Sequence, residues 1–197
     1  AVSSQDRHMD RGIDLSGVEW VDDARKLCLM PNVDVVVELI GGAEGIAKDI
    51  AEATVKNNKY FVTANKALIA HYGDEIGKNA EKNDVSIGFE AAVAGGIPII
   101  KTLREGLGGN QFTRVYGILN GTCNYILSEM RETGRDFKDV LTDAQALGYA
   151  EADPSFDIDG IDAAHKLSIL ASIVFQTKIN FEAIHTEGIR FISPIDL

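Results

Sequence analysis

The first ninety residues alternate between short apolar runs and longer segments with helical spacing. Val33 to Leu39 reads VDVVVEL, a β-branched run that ends at two glycines. Such a run predicts a parallel strand that is buried on both faces. Residues 46–55 have the spacing of a helix, and residues 60–63 form a second short strand. Residues 72–82 and 85–89 repeat the pair, which predicts a doubly wound parallel sheet of the Rossmann type.

The alternation of strand and helix patterns stops after Glu90, where a run of small residues precedes Pro98. We predict a helix from Pro98 to about Leu107 and a strand at residues 111–119. Three further helices are predicted at residues 122–131, 137–147 and 159–175. We therefore expect an α/β protein with a partial Rossmann-type sheet in residues 1–90 and an α+β domain in residues 91–197.

The glycine-rich loop of a dinucleotide fold, G-x-G-x-x-G between strand and helix, has no match in the chain. The nearest segment is IGGAEG at residues 40–45, in which Ile40 replaces the first glycine. A flexible strand-to-helix turn explains this segment without any ligand. Because ligands bind at the carboxyl ends of parallel strands, the turn could also line a cofactor cleft. Residues 1–4 could be the tail of one more strand.

Composition and charge exclude several classes of partner. Hydrophobic residues make up 45% of the chain, which permits a packed core, and the net charge is −11. Nucleic acid is a poor partner for such an acidic chain, because phosphate binding needs clustered Lys and Arg. We expect no membrane span, since no apolar run approaches the length that a membrane helix needs. The two cysteines lack metal or disulfide spacing, which favours a reducing, cytoplasmic compartment.

Two segments at predicted strand ends carry candidate chemistry. Lys66 follows the second strand, so it faces either the cleft of the sheet or solvent. Glu90 follows the third strand and precedes a run of small residues whose carbonyls could converge on a hard cation. A charged helix cap or a salt-bridged junction explains Glu90 equally well.

The strongest motif is the acidic run at residues 148–166, GYAEADPSFDIDGIDAAHK, which has five carboxylates. Asp159 fits a helix N-cap. Asp162 and Lys166 are four residues apart, so they share a helix face and can form an ion pair. A calcium-binding EF-hand loop is a rival, but the glutamate at its twelfth position is absent. An apolar stripe beside Lys166 places the ammonium at the border of a core, where it could give a proton to a developing alkoxide.

Four motifs resemble the homoserine dehydrogenase family in this order and at matching spacings: TANKAL, FEAAVAGGIPII, GILNGTCNYIL and the acidic run. The resemblance covers essentially the whole chain. It implies NADPH- or NADH-dependent interconversion of L-aspartate 4-semialdehyde and L-homoserine, in the biosynthesis of threonine, methionine and isoleucine. It also implies a homodimer, in which residues 91–197 serve for substrate binding, catalysis and dimerisation.

The resemblance also implies roles for individual residues. Lys166 matches the proton donor, and Lys66 matches a lysine near the nicotinamide and the substrate. Glu151 matches a substrate-binding carboxylate, with Asp157 and Asp162 supporting the substrate or the lysines. Two further sets of residues complete the implied site: Gly41 with Lys66 for the cofactor, and Glu90 with the carbonyls of Val93, Gly95 and Ile97 for a monovalent cation, usually sodium.

The chain departs from the family pattern at both ends and at one internal position. The glycine-rich loop and the segment expected after Leu197 are absent, so a protein limited to these residues is expected to bind NADPH weakly and to lack turnover. Gln5 stands where relatives often carry Arg, which leaves NADP or NAD open as the cofactor. Two alternatives remain, namely another semialdehyde or imine reductase of similar build and a non-catalytic binding or assembly module.

Overall fold

The computed structural model describes residues 1–197, which divide into two compact units at residues 1–106 and 107–197. The domain boundary near Glu90 falls inside the first of these units and stays a prediction. None of the helices combines the length and the apolar character that crossing a membrane would require.

A parallel three-stranded sheet forms the centre of the first unit. Its strands are β1 (Val35–Glu38), β2 (Tyr60–Thr63) and β3 (Ile87–Gly88), in the order β1-β2-β3. The predicted parallel sheet is therefore confirmed, with a shorter third strand than expected. The prediction that the first strand is buried on both faces is wrong, because Val36 and Glu38 are buried while Val35 and Val37 are exposed. Val2 pairs in parallel with Trp20 in an isolated bridge, so the expected strand tail at residues 1–4 is reduced to one residue.

Two helices pack on this sheet and close its core. They are α1 (Ile46–Lys56) and α2 (Lys66–Lys82), and a 3-10 helix at Ala24–Leu29 that the pattern did not predict packs beside α1. Apolar residues of strands and helices share one core, led by the fully buried Phe61 and Leu68. The helix α2 begins earlier than predicted because the Asn65 side chain accepts a hydrogen bond from Leu68 N and caps it.

Short helical segments follow the sheet. They are α3 (Ala91–Ala94), α4 (Ile99–Lys101) and a π-helical turn at Thr102–Gly106. The helix predicted from Pro98 to about Leu107 is thus present, but its second half has the wider π pitch.

The second unit contains four helices and irregular segments. The helices are α5 (Gly121–Thr133), α6 (Phe137–Ala146), α7 (Ser155–Ile158) and α8 (Ile161–Phe175), with 3-10 turns at Phe181–Ala183 and Pro194–Asp196. Their core is formed by Ile126, Met130, Val140, Ala144, Ala150 and Ile158.

The strand predicted at residues 111–119 is wrong. These residues have no regular secondary structure in this unit, and Tyr116 and Ile118 are 89% and 77% exposed. A strand exists only when its backbone groups pair with a neighbouring strand, and this unit offers none.

The helix predicted at residues 159–175 is present as α8 but begins two residues later, after Gly160, so the predicted N-cap role of Asp159 is wrong. Gly160 has φ 82° and separates α7 from α8, so Asp159 ends α7. The Asp159 carboxylate instead pairs with Arg190 of the C-terminal segment. That segment lies directly on the junction of α7 and α8, because Ile189 N donates to Ile158 O at 2.8 Å.

Gly160 provides a test of this close approach. A Cβ at residue 160 would lie 2.9 Å from Glu187 O, whereas a Cβ at Gly148, which has φ 77°, would meet nothing within 4 Å. Both alanine variants must adopt a left-handed backbone conformation, which costs free energy. Only Gly160→Ala must also displace the backbone of a neighbouring segment. We expect Gly160→Ala to lower the free energy of unfolding by about 3 kcal/mol and Gly148→Ala by about 1 kcal/mol. Urea denaturation followed by circular dichroism measures both losses, and equal losses would contradict the packing.

Candidate active site

The predicted ion pair on α8 is present and largely buried. Lys166 Nζ lies 2.7 Å from Asp162 Oδ2 and donates a second hydrogen bond to Leu119 O at 2.9 Å. Asp162 is 3% exposed, and the Lys166 side chain is 18% exposed. A pair so far removed from water is held more firmly than a surface pair, because solvent screening is weak. The expectation from the four-residue spacing is thus confirmed.

Asn120 joins the Lys166–Asp162 pair to Asp157 of the acidic run. Its Nδ2 donates to Asp162 Oδ2 at 2.9 Å and to Asp157 Oδ1 at 2.7 Å. Both carboxylates accept from the same amide nitrogen, so they are close enough to repel each other. The amide offsets that repulsion with one hydrogen bond to each carboxylate. The structure therefore brings Asp157, Asp162 and Lys166 together around one asparagine.

The start of α5 holds Asn120 in this position. Asn120 is the N-cap residue, and its Oδ1 accepts a hydrogen bond from Cys123 N at 2.8 Å. Thr122, in the first turn, donates to Tyr149 O at 2.8 Å and lies 3.4 Å from Asp157 Oδ2. The helix end and the acidic loop are thus fixed to each other by side chains from both.

The pKa of the Cys123 thiol reflects the burial and the negative charge around Asp157 and Asp162. Its Sγ lies 3.2 Å from Asp157 O, and burial together with the charges of Asp157 and Asp162 raises the pKa of the thiol to about 11. The thiol is therefore protonated at neutral pH, and it serves as a packing group rather than a nucleophile.

The remaining acids of the run lie apart from this cluster. Glu151 is exposed, and its contact to Gln145 Nε2 at 3.0 Å uses the backbone carbonyl. Asp153 accepts hydrogen bonds from Ser155, which lower the pKa of its carboxyl group. The pKa of Asp159 is lowered by the hydrogen bond from Arg190. The structure accordingly does not join the Glu151 carboxylate to Asp157 and Asp162.

In the first unit, Gly41 and Lys66 follow neighbouring parallel strands. Lys66 is the first residue of α2 and is half-buried. Gly41 and Gly42 are exposed at φ 88° and 79°, and an added Cβ on either would meet nothing within 4 Å. The backbone is therefore open at the carboxyl edge of the sheet, where dinucleotides bind in such folds. These residues fit a nicotinamide cofactor.

Glu90 has a structural task that the sequence left open. Its Oε1 accepts Ile100 N at 2.7 Å and its Oε2 accepts Lys101 N at 2.8 Å, so the carboxylate caps α4. The Ile97 carbonyl, one of the predicted cation ligands, accepts Ile99 N at 2.8 Å. No group of three His, Cys, Asp or Glu residues in residues 1–197 has metal-binding geometry. Carboxylate and carbonyl oxygens with spare lone pairs still suit a monovalent cation, which would have to share Glu90 with α4.

The motif interpretation missed Asn120, which the structure places between Asp157 and Asp162. The segment Asn120-Gly121-Thr122 has the form of a glycosylation sequon. An asparagine directly before a helical pattern is also an N-cap signal, and that signal could have identified its place. Its contacts with Asp157 and Asp162 are long-range and could not have been found in this way.

Comparison with known proteins gives two family models that together match nearly the whole chain. The model described as homoserine dehydrogenase, NAD binding domain, matches residues 1–90, and the model described as homoserine dehydrogenase matches residues 98–197.

Individual relatives agree with these matches. The chain is 56% identical to the homoserine dehydrogenase of Neisseria gonorrhoeae over 90% of its own length and 41% of that protein. A crystal structure of a homoserine dehydrogenase from Thiobacillus denitrificans has TM-score 0.88 and 53% identity, covering 91% of this chain and 42% of that one. A hyperthermophilic archaeal homoserine dehydrogenase in complex with NADPH has TM-score 0.79 and 34% identity, covering 86% and 51%.

The chain thus spans less than half the length of curated relatives such as the Neisseria protein. The chain belongs to the homoserine dehydrogenase family.

Proposed function

We propose that the protein carrying this chain interconverts L-aspartate 4-semialdehyde and L-homoserine with a nicotinamide cofactor. The observation that supports this most is the buried pair of Lys166 and Asp162, held by Asn120 beside Asp157. The pathway role follows from the product, since homoserine is an intermediate in the synthesis of threonine, methionine and isoleucine. The free cysteines fit a reducing, cytoplasmic compartment.

Lys166 supplies the proton in the proposed reaction. Reduction of the aldehyde builds negative charge on the carbonyl oxygen, and a positioned acid must protonate it. The ammonium group has three protons, of which two are directed at Asp162 and Leu119 O. The third is available for the substrate oxygen, and Asp162 stabilises the charged form that donates it.

The carboxylates supply the second requirement, a place for the substrate's ammonium group. Asp157 is held by Asn120 and Thr122 and keeps acceptor capacity for a further donor. Glu151, exposed in the same loop, is the other carboxylate that we assign to the substrate. A substrate bound through its ammonium presents its aldehyde to Lys166.

The cofactor is NADP or NAD, and it supplies the hydride when bound. Lys66 and the Gly41 turn are the residues that we assign to it in the first unit, at the carboxyl ends of β1 and β2. The archaeal relative crystallised with NADPH supports a phosphorylated cofactor, while Gln5 leaves NAD open.

A homodimer is the proposed assembly. The second unit exposes large hydrophobic side chains, including Tyr116, Phe191 and Ile195, of which the last two are 94% and 96% exposed. Large exposed apolar groups of this kind mark interaction surfaces.

The first test is a steady-state assay of the full-length protein with aspartate semialdehyde and NADPH or NADH. We expect turnover, and we expect Lys166→Met to lower kcat by about 100-fold or more, the usual scale for losing a general acid. Lys138→Met is the matched control, because Lys138 is exposed on α6 in the same unit. If Lys166→Met retains kcat within a few-fold of the parent, the lysine is structural. If the parent reduces other semialdehydes or imines but not this one, the substrate assignment is wrong.

A second test removes the amide between the carboxylates. Asn120→Ala leaves Asp157 and Asp162 facing each other without the donor that both share, so their repulsion is no longer offset. We expect kcat to fall about 10-fold at neutral pH, equivalent to losing one charge-assisted hydrogen bond. Asn124→Ala, an exposed position on α5, serves as control, and an unchanged kcat in Asn120→Ala would contradict the role.

The third test concerns the monovalent cation, which we propose to bind at Glu90 and the carbonyls of Val93, Gly95 and Ile97. We expect that replacing sodium and potassium by tetramethylammonium lowers activity or the melting temperature. The effect should be smaller in Glu90→Gln, which keeps an acceptor for α4 but loses the charge that attracts the cation. Identical responses of parent and variant would show a general salt effect and remove the site.

A further inference from the structure

Glu38 is a buried carboxylate that the proposed reaction does not use. It is the last residue of β1 and is 1% exposed. Its Oε1 accepts the backbone N–H groups of Ile40 at 2.6 Å and Gly41 at 3.0 Å, and its Oε2 accepts the Thr63 hydroxyl at 2.6 Å. A carboxylate is very costly to bury unless donors surround it, so these three contacts explain how the group is tolerated.

The hydrogen bonds continue from Thr63 to the residue before Lys66. Thr63 Oγ1 accepts Asn65 N at 2.9 Å, and Asn65 Nδ2 donates to Gly42 O at 2.6 Å. The path from Glu38 through Thr63 and Asn65 therefore returns to the turn that Glu38 also holds. This closed ring joins the ends of β1 and β2 and fixes the first turn of α2, where Lys66 lies.

The ring decides which ligand group the turn can accept. A phosphate cradle presents backbone N–H groups to the anion, but here the N–H groups of Ile40 and Gly41 are directed to Glu38. The other side of the turn is open, because Gly41 and Gly42 have no side chains and nothing lies within 4 Å of an added Cβ. An open backbone surface without side chains can pack against the face of a ring, whereas the two N–H groups that Glu38 holds are not available to a phosphate.

We propose that Glu38 is a positioning residue for the nicotinamide end of the cofactor. It holds the Gly41-Gly42 turn as an open packing surface and fixes the segment that carries Lys66, and the turn takes no part in binding the pyrophosphate. This assignment rests on the proposed function, and it names the part of the cofactor that this edge of the sheet meets.

The test compares two ligands in equilibrium titrations of the full-length protein. One is NADPH, and the other is 2′-phospho-ADP-ribose, which has both bridging phosphates but no nicotinamide. Glu38→Gln keeps the size of the side chain and one acceptor oxygen but loses the acceptor for Thr63. We expect it to weaken NADPH binding by about 5- to 10-fold, the scale of one ordinary hydrogen bond, and to leave the second ligand within about 2-fold. Glu52→Gln, exposed on α1, is the control and should change neither.

Thr63→Val tests the same ring from its other side. It removes the hydroxyl without altering Glu38, so it should show the same selective loss, and the double variant should lose little more than either single variant. This variant also keeps the assignment testable if Glu38→Gln does not fold.

Two results would overturn the assignment. Equal losses for both ligands would mean that the turn binds phosphate, and unchanged affinities with a lower melting temperature would mean that Glu38 only stabilises the sheet. The titrations need no aldehyde, so a protein that binds NADPH but fails to reduce aspartate semialdehyde would refute the proposed function alone. A full-length protein that binds neither NADPH nor NADH would refute both.

Discussion

A buried carboxylate has to be surrounded by hydrogen-bond donors, and this constraint organises both candidate site segments. Asp162 and Glu38 are 3% and 1% exposed, so each would be strongly disfavoured without its partners. One donor of each set comes from a distant part of the sequence, Asn120 for Asp162 and Thr63 for Glu38. The other donors lie within four residues of each carboxylate. The segments that carry them are thereby drawn to fixed positions within each unit.

Two asparagines connect the buried carboxylates or their neighbouring turn to the starts of helices. Asn65 and Asn120 each cap a helix through the side-chain oxygen, at Leu68 N and Cys123 N. The amide nitrogen of each reaches across to another segment, to Gly42 O in one case and to two carboxylates in the other. Asp and Ser also cap helices, but an ionised Asp has no donor and Ser has only one. Of these three residue types, only asparagine can cap the N-terminus of a helix and also donate to two acceptors.

The sequence predicts those features whose causes are local. The apolar runs at β1 and β2 identify the parallel strands, and the four-residue spacing identifies the pair of Asp162 and Lys166. Where a partner from elsewhere in the chain decides the outcome, the pattern fails. The run at residues 111–119 has no neighbouring strand to pair with, so it stays irregular.

The acidic run shows the same limit at the level of single residues. Asp159 is a residue type that often caps helices, but it pairs with Arg190 instead. The C-terminal segment lies against Gly160, between α7 and α8. Five carboxylates within residues 148–166 indicate an acidic site, yet the sequence cannot tell which of them converge. The structure separates Asp157 and Asp162, which share Asn120, from Glu151, whose side chain is exposed.

The two buried carboxylates differ in one respect that matters for the proposed chemistry. Glu38 is satisfied by uncharged donors, none of which takes part in the proposed proton transfer. Asp162 has a charged donor, Lys166, and in the proposed reaction this lysine becomes neutral when it gives up a proton. The hydrogen bond from Asn120 to Asp162 does not depend on that proton. In the proposed reaction the amide therefore does more than separate two carboxylates, because it remains a donor to Asp162 when Lys166 has lost its charge.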